Sequence, residues 1–237
     1  MRGSPEAMTP SALKVSQRTP RALPIAHPLD EFYLKMGLKL PPIEQVRGEE
    51  VPEPYKTLLV HHDDMTPTLE RFYGETIHLQ VFLREQRGDY YYREVALVLD
   101  QSARRVEFGA IKMNLALFSP PARSQILQEH LPLGHILSEL HIAHTSRPKA
   151  FFRIRSDAFI NQSLALTGEH WLYGRRNTLF DPQQRPLAEI VEILPPAENP
   201  KSECRSSGQE RPASNFGLRA CFGFRDSSFG FPAGHDR

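Results

Sequence analysis

The stretch that decides the fold runs from Ile77 to Met113, IHLQVFLREQRGDYYYREVALVLDQSARRVEFGAIKM. Ile77, Leu79, Val81 and Leu83 alternate with mostly polar residues, the period of a strand with one buried face. Arg87-Gly88-Asp89 reads as a hairpin turn into a second strand, Tyr90–Leu99, and Gln101–Arg104 turns the chain into a third, Arg105–Met113. Further strands are expected at Ala150–Arg155, Trp171–Phe180 and Leu187–Leu194, the last two joined through Pro182 and Gln183-Gln184-Arg185. Helices are expected at 29–37, 54–61 and 67–73, from Ser119-Pro120-Pro121 to about His130, and again from about Gly134. Six strands, most joined as hairpins and with helices interposed in blocks, predict an α+β fold with an antiparallel sheet.

Several charges fall where apolar residues belong. In Tyr90–Leu99, Arg93 shares a face with Tyr91, Val95, Leu97 and Leu99. In Arg105–Met113, Lys112 shares a face with Val106, Phe108 and Ala110. In Leu187–Leu194 both faces are apolar, and each carries one glutamate, Glu189 or Glu192. An unpaired buried charge costs several kcal/mol, so an inward charge needs a partner. Either Arg93 pairs internally with a glutamate, or its charge escapes to solvent at a strand end, or it lines a pocket for an anion, where its planar fork suits a carboxylate.

The order of short motifs bears on that choice. Asp64-Met65-Thr66-Pro67-Thr68-Leu69-Glu70 precedes the first strand, and Tyr92-Arg93-Glu94-Val95 opens the second. Phe108-Gly109-Ala110-Ile111-Lys112 lies in the third, and Leu131-Pro132-Leu133-Gly134-His135-Ile136-Leu137 falls between helices. Tyr173-Gly174-Arg175-Arg176-Asn177 begins the last hairpin, and Val191-Glu192-Ile193-Leu194-Pro195 closes it. This series resembles the chorismate pyruvate-lyase (4-hydroxybenzoate synthase) family, in its divergent cyanobacterial, plastid and actinobacterial branch. The resemblance covers about residues 55–197.

The resemblance implies a six-stranded antiparallel sheet around a buried pocket, and a lyase that eliminates pyruvate from chorismate to give 4-hydroxybenzoate. The family's binding arginine falls on Arg93 and its glutamate on Glu192, rather than Glu189, which sits on the opposite face. Backbone amides would come from Met65 and from Leu133 beside Gly134. Where family members place a second arginine this chain has Ala110, and Lys112, two residues on, is the expected substitute for the second substrate carboxylate. Aromatisation drives such an elimination, so neither metal nor redox cofactor is implied. Glu192 would act as general base, or the enolpyruvyl methylene would take the hydrogen internally while the protein orients the substrate. The alternatives are a related reaction on a chorismate-like acid and a non-catalytic domain, either a degenerate lyase or one like the effector-sensing domains of bacterial transcription regulators.

Other constellations weigh less. His61-His62-Asp63-Asp64 point in different directions on a helix, and His135, His141 and His144 are read as ordinary histidines, so no metal site is expected. Of Arg175 and Arg176, adjacent in a strand, at most one can face a pocket. No nucleophile elbow or phosphate-binding glycine loop is present.

Composition sets the outer bounds. The chain has 237 residues, 40% hydrophobic and 24% charged, with a formal net charge of +1, which fits a globular protein and offers no basic footprint for nucleic acid. No apolar run approaches the ~18 residues of a membrane-spanning helix. Cys204 and Cys221 form no disulfide framework or zinc spacing, which points to a reducing compartment, and a cytoplasmic monomer is expected. Residues 1–28, with five prolines, read as a disordered extension rather than a transit peptide, 29–197 as one lyase-like domain, and 198–237 as a disordered tail. The pathway that uses the product, ubiquinone or a secondary metabolite, is not encoded in these residues.

Overall fold

The computed structural model describes residues 23–197. The elements in chain order are α1 (Leu29–Lys35), β1 (Ile43–Val46), α2 (Tyr55–Leu59), α3 (Met65–Tyr73), β2 (Ile77–Arg87), β3 (Tyr90–Leu99), β4 (Arg105–Asn114), α4 (Pro120–Gln128), α5 (Leu133–Glu139), β5 (Thr145–Arg155), α6 (Ala158–Leu164), β6 (Trp171–Phe180) and β7 (Pro186–Ile193). The sheet has seven strands in the order β1-β5-β6-β7-β4-β3-β2, every neighbour antiparallel. The fold is α+β with a large antiparallel sheet. It consists of two three-stranded meanders, β2-β3-β4 and β5-β6-β7, joined edge to edge by β4 and β7, with β1 added outside β5.

Six of these strands are those expected from the alternation. The seventh, β1, is four residues long with a half-exposed pattern, too short to show a period. β5 begins five residues earlier than expected, because a register shift between Pro148 and Ala150 absorbs the proline. α6 was not expected either, although Asp157 caps it by accepting from the Ile160 amide at 2.9 Å, and its Ile160 and Leu164 are buried.

Pairing fixes which side chains share a face, since directly opposed residues on neighbouring strands point the same way. One row reads Arg93, Ile111, Ile190 and Asn177 across β3, β4, β7 and β6; the next reads Val95, Gly109, Glu192 and Arg175. Helices α2 to α5 cover this face, with Leu59, Leu69 and Leu97 in one apolar cluster and Ile126, Ile136 and Met113 in another. α1 and α6 cover the opposite face around Tyr33, Phe108, Phe152 and Ile193.

The domain also starts earlier than residue 29. Ala26 and His27 are buried, and His27 Nε2 lies 2.9 Å from Glu189 Oε2 on the outer face of β7. Burial pulls the His27 pKa down, but hydrogen bonds to Asp30 and Glu189 outweigh it and hold it at about 9, so His27 is charged at neutral pH. Residues 23–28 are therefore part of the fold, because the His27 imidazolium bonds a strand carboxylate. The rest of the expected extension and the expected tail lie outside the described residues.

Candidate functional site

A pocket, partly open to solvent, lies between the inner face of the sheet and the start of α3 and α5. Arg93, Glu107, Asn177 and Glu192 bring polar atoms to it, and Val95, Leu97, Ile111, Leu137 and Ile190 supply apolar walls.

Arg93 is 1% exposed, and its Nε and Nη1 have no hydrogen-bond partner among the described residues. Burial lowers its pKa to about 10, against the opposing pull of Tyr91 and Glu129, so the guanidinium remains charged at neutral pH. Glu129 is itself bonded to the Tyr91 hydroxyl and to Arg84. A buried cation with two idle donors is one half of an ion pair. The other half is not supplied by any glutamate of the sheet.

Glu192 is committed elsewhere. Its carboxylate takes a short hydrogen bond from Arg175 Nε and a longer one, 3.5 Å, from Nη2. The remaining Arg175 donors reach the carbonyls of Leu59, His61 and Asp63, each at 3.2 Å. Arg175, fully buried, thus ties β7 to the connection between α2 and α3 and sets where α3 begins. His61 completes the cluster: Nε2 lies 2.7 Å from the Leu58 carbonyl, and Nδ1 lies beside Arg175. Burial first, then the Arg175 charge, lowers the His61 pKa. Of the two adjacent arginines one does face inward; Arg176 points out and donates to the carbonyls of Leu23 and Pro24.

Met65 is the first residue of α3, Leu133 and Gly134 the first two of α5, and all three line the pocket. The helices can begin side by side because residue 134 is glycine: a Cβ there would lie 3.2 Å from Thr66 Oγ1 and 3.3 Å from Thr66 Cβ. Neither helix has a side-chain cap. Asp64, at the N-cap position of α3, instead holds His144, whose Nε2 is 3.0 Å from Asp64 Oδ2; this hydrogen bond raises the His144 pKa over the opposing effect of burial. The His135 amide of α5 donates to the Pro132 carbonyl and Pro67 of α3 has no N–H, which leaves the amides of Met65, Thr66, Leu133 and Gly134 to other acceptors.

Lys112 is a correction. It pairs with Glu189 across the β4–β7 ladder, 3.8 Å from Oε2, and its Nζ sits over the rings of Tyr90 and Tyr92 on the outer face. Arg93 opposes Ile111, so odd-numbered residues of β4 face the pocket and Lys112 faces away. The charged residue of β4 that does face the pocket is Glu107, 4% exposed, with Oε2 unpartnered among the described residues. Burial, then the charge of Glu192, pushes its pKa well above the ordinary carboxylate range, with Arg175 acting the other way. Asn177, with Oδ1 unpartnered and Nδ2 donating to Ser146 Oγ at 2.8 Å, was not anticipated either.

No three His, Asp or Glu side chains converge as a metal site among the described residues. No described helix is long and apolar enough to cross a membrane.

No family model and no curated protein matches the sequence. Solved structures do. PhnF from Mycobacterium smegmatis is similar over 70% of this chain and 92% of its own, at 10% identity and a TM-score of 0.46. A possible transcriptional regulator, YydK, from Bacillus subtilis is similar over 72% and 92%, at 10% identity and 0.41. The ligand-binding domain of a putative GntR-family transcriptional regulator from Bordetella bronchiseptica is similar over 50% and 85%, at 10% identity and 0.40. Similarity this distant carries no inference about what this chain binds.

Proposed function

We propose that the pocket binds a small ring carboxylate with an oxygen substituent across the ring, and that the chain eliminates pyruvate from chorismate to leave 4-hydroxybenzoate. The observation that carries the binding step is Arg93, fully buried, charged, and with Nε and Nη1 idle at a pocket wall. Leaving a charge in that state costs several kcal/mol, and a bound carboxylate would return it through two charge-assisted hydrogen bonds. The uncapped starts of α3 and α5 add amide donors for an anion, and the aliphatic walls suit a flat ring.

Arg93 and Glu192 stand two strands apart and one row out of line, so ideal ladder spacings put their Cα atoms about 12 Å apart. The ligand is placed along this span, with its carboxylate on Arg93 and its hydroxyl toward Glu192. In the elimination the ether C–O bond breaks, its electron pair leaving on the enolpyruvyl oxygen. The C–H bond of the hydroxyl-bearing carbon breaks and its pair closes the aromatic ring. The Glu192 carboxylate is held by Arg175 rather than directed at the substrate C–H. The hydrogen therefore passes to the enolpyruvyl methylene inside the substrate, and the protein contributes orientation and a fixed electrostatic frame.

The second reading, binding of an aromatic acid without turnover, is favoured by the same engagement: Glu192, the carboxylate expected as general base, is tied to Arg175. Chorismate incubated with the purified full chain separates the two. Equimolar 4-hydroxybenzoate and pyruvate, lost in Arg93→Met, is the expected result. Deuterium on the hydroxyl-bearing carbon should appear in the pyruvate methyl group. Tight binding of 4-hydroxybenzoate without pyruvate would select the second reading, and no binding of either would end both.

A further inference from the structure

Glu107 belongs to neither the resemblance nor the binding step at Arg93, yet it is a buried carboxyl of the pocket wall, 4% exposed. Its neighbour on the same face of β4 is Gly109, and a Cβ at Gly109 would fall 2.9 Å from Glu107 Oε1 and 3.1 Å from the Val191 carbonyl. A glycine inside a strand marks a close approach, and here the approaching group is the Glu107 carboxyl. Gly109 directly opposes Glu192 across the β4–β7 ladder. Glu107 thus lies along the bare backbone of Gly109 toward Glu192, at the pocket end remote from Arg93.

Two neighbouring buried carboxyls do not both ionise. Arg175 is bonded to Glu192 and gives Glu107 no hydrogen bond, which leaves Glu107 the neutral member. A neutral carboxyl differs from a carboxylate in one decisive way, because it can donate. Glu107 Oε2 is buried and unpartnered among the described residues, while Glu192 Oε1 is held only at 3.5 Å and retains acceptor capacity.

Building on the ring-carboxylate reading, we infer that Glu107 is the residue that selects an oxygen at the far end of the ring: its O–H donates to that oxygen, whose own hydrogen goes to Glu192. The pair is then a donor and an acceptor matched to one hydroxyl. A ligand without that oxygen leaves Glu107 buried and unpaired, and a polar site of this kind rejects the lacking analogue more strongly than an apolar pocket does.

The test is calorimetric titration of the full chain with 4-hydroxybenzoate, 4-aminobenzoate and benzoate. The hydroxy acid should bind at least tenfold more tightly than benzoate and at least fivefold more tightly than the amino acid, which donates to Glu192 but accepts poorly from Glu107. Glu107→Leu should bring all three within threefold of one another, whereas Glu107→Gln, which keeps an N–H donor, should preserve the preference for the hydroxyl. A merely structural Glu107 would shift the three affinities together and leave their ratios alone. Equal binding of the three by the unmodified protein overturns the role of Glu107 even if a variant fails to fold, and leaves Arg93 untouched. Failure of all three to bind overturns the pocket reading on which the proposal rests.

Discussion

Arg93 and Arg175 stand on adjacent rows of the same sheet face, 1% and 0% exposed, and they meet burial in opposite ways. Arg175 spends its donors on Glu192 and three carbonyls of the segment before α3. Arg93 keeps Nε and Nη1 unused and faces the pocket. The difference separates a charge that builds the domain from one that awaits a ligand. In a folded chain an idle buried charge persists only where something outside the chain repays it. The same contrast sorts the acids: Glu192 is held by Arg175, while Glu107 beside it keeps an oxygen unpartnered among the described residues.

Four substitutions break or sharpen this contrast. Arg175→Met has the largest expected effect, because it strands Glu192 in a buried site and frees the segment from Leu59 to Asp63. A loss of about 3–5 kcal/mol in urea unfolding is predicted, and a loss under 1 kcal/mol would mean that Arg175 is no keystone. Arg93→Met should weaken 4-hydroxybenzoate binding at least 100-fold, equivalent to about 2.7 kcal/mol, and should stabilise the ligand-free protein at the same time.

Glu94 tests the rule on the opposite face, where it is fully buried with both carboxyl oxygens unpartnered among the described residues. Burial raises its pKa to about 8. The folded state therefore binds a proton that the unfolded state has released between about pH 4.5 and 8, and stability falls as pH rises through that window. Glu94→Gln should flatten that slope and add about 1–3 kcal/mol at pH 8; an unchanged pH profile would show that Glu94 has a partner in solution. Lys112→Ala is the smallest. Its contact with Glu189 is partly exposed and on the wrong face, so ligand affinity should move less than twofold and stability by about 0.5 kcal/mol or less.

The alternation in Ile77–Met113 made the antiparallel sheet legible, and Arg93 stood out because its face was otherwise apolar. Glu192 was legible for the same reason. Register was not. Periodicity assigns residues of β4 to two faces but does not say which meets Arg93, and a shift between Leu97 and Val98 in the β3–β4 ladder settles it. That one missing fact turned Lys112 inward and hid Glu107 and its relation to Gly109. Arg175 was half legible: one of two adjacent arginines had to face inward, but its carbonyl partners come from a segment more than a hundred residues away. β1 lacked the length to show a period, and the packing of Ala26 and His27 depends on Glu189, a long-range contact.

The most direct test of the central claim is thermal melting of the unmodified chain and of Arg93→Met, each with and without 4-hydroxybenzoate. Without ligand, the variant should melt higher, because it no longer buries an unpaired charge. With ligand at about 100 times its dissociation constant, the unmodified chain should gain about 2.7 kcal/mol and overtake a variant that does not respond. An unmodified chain that is the more stable of the two without ligand, and that no aromatic carboxylate shifts, would contradict the account.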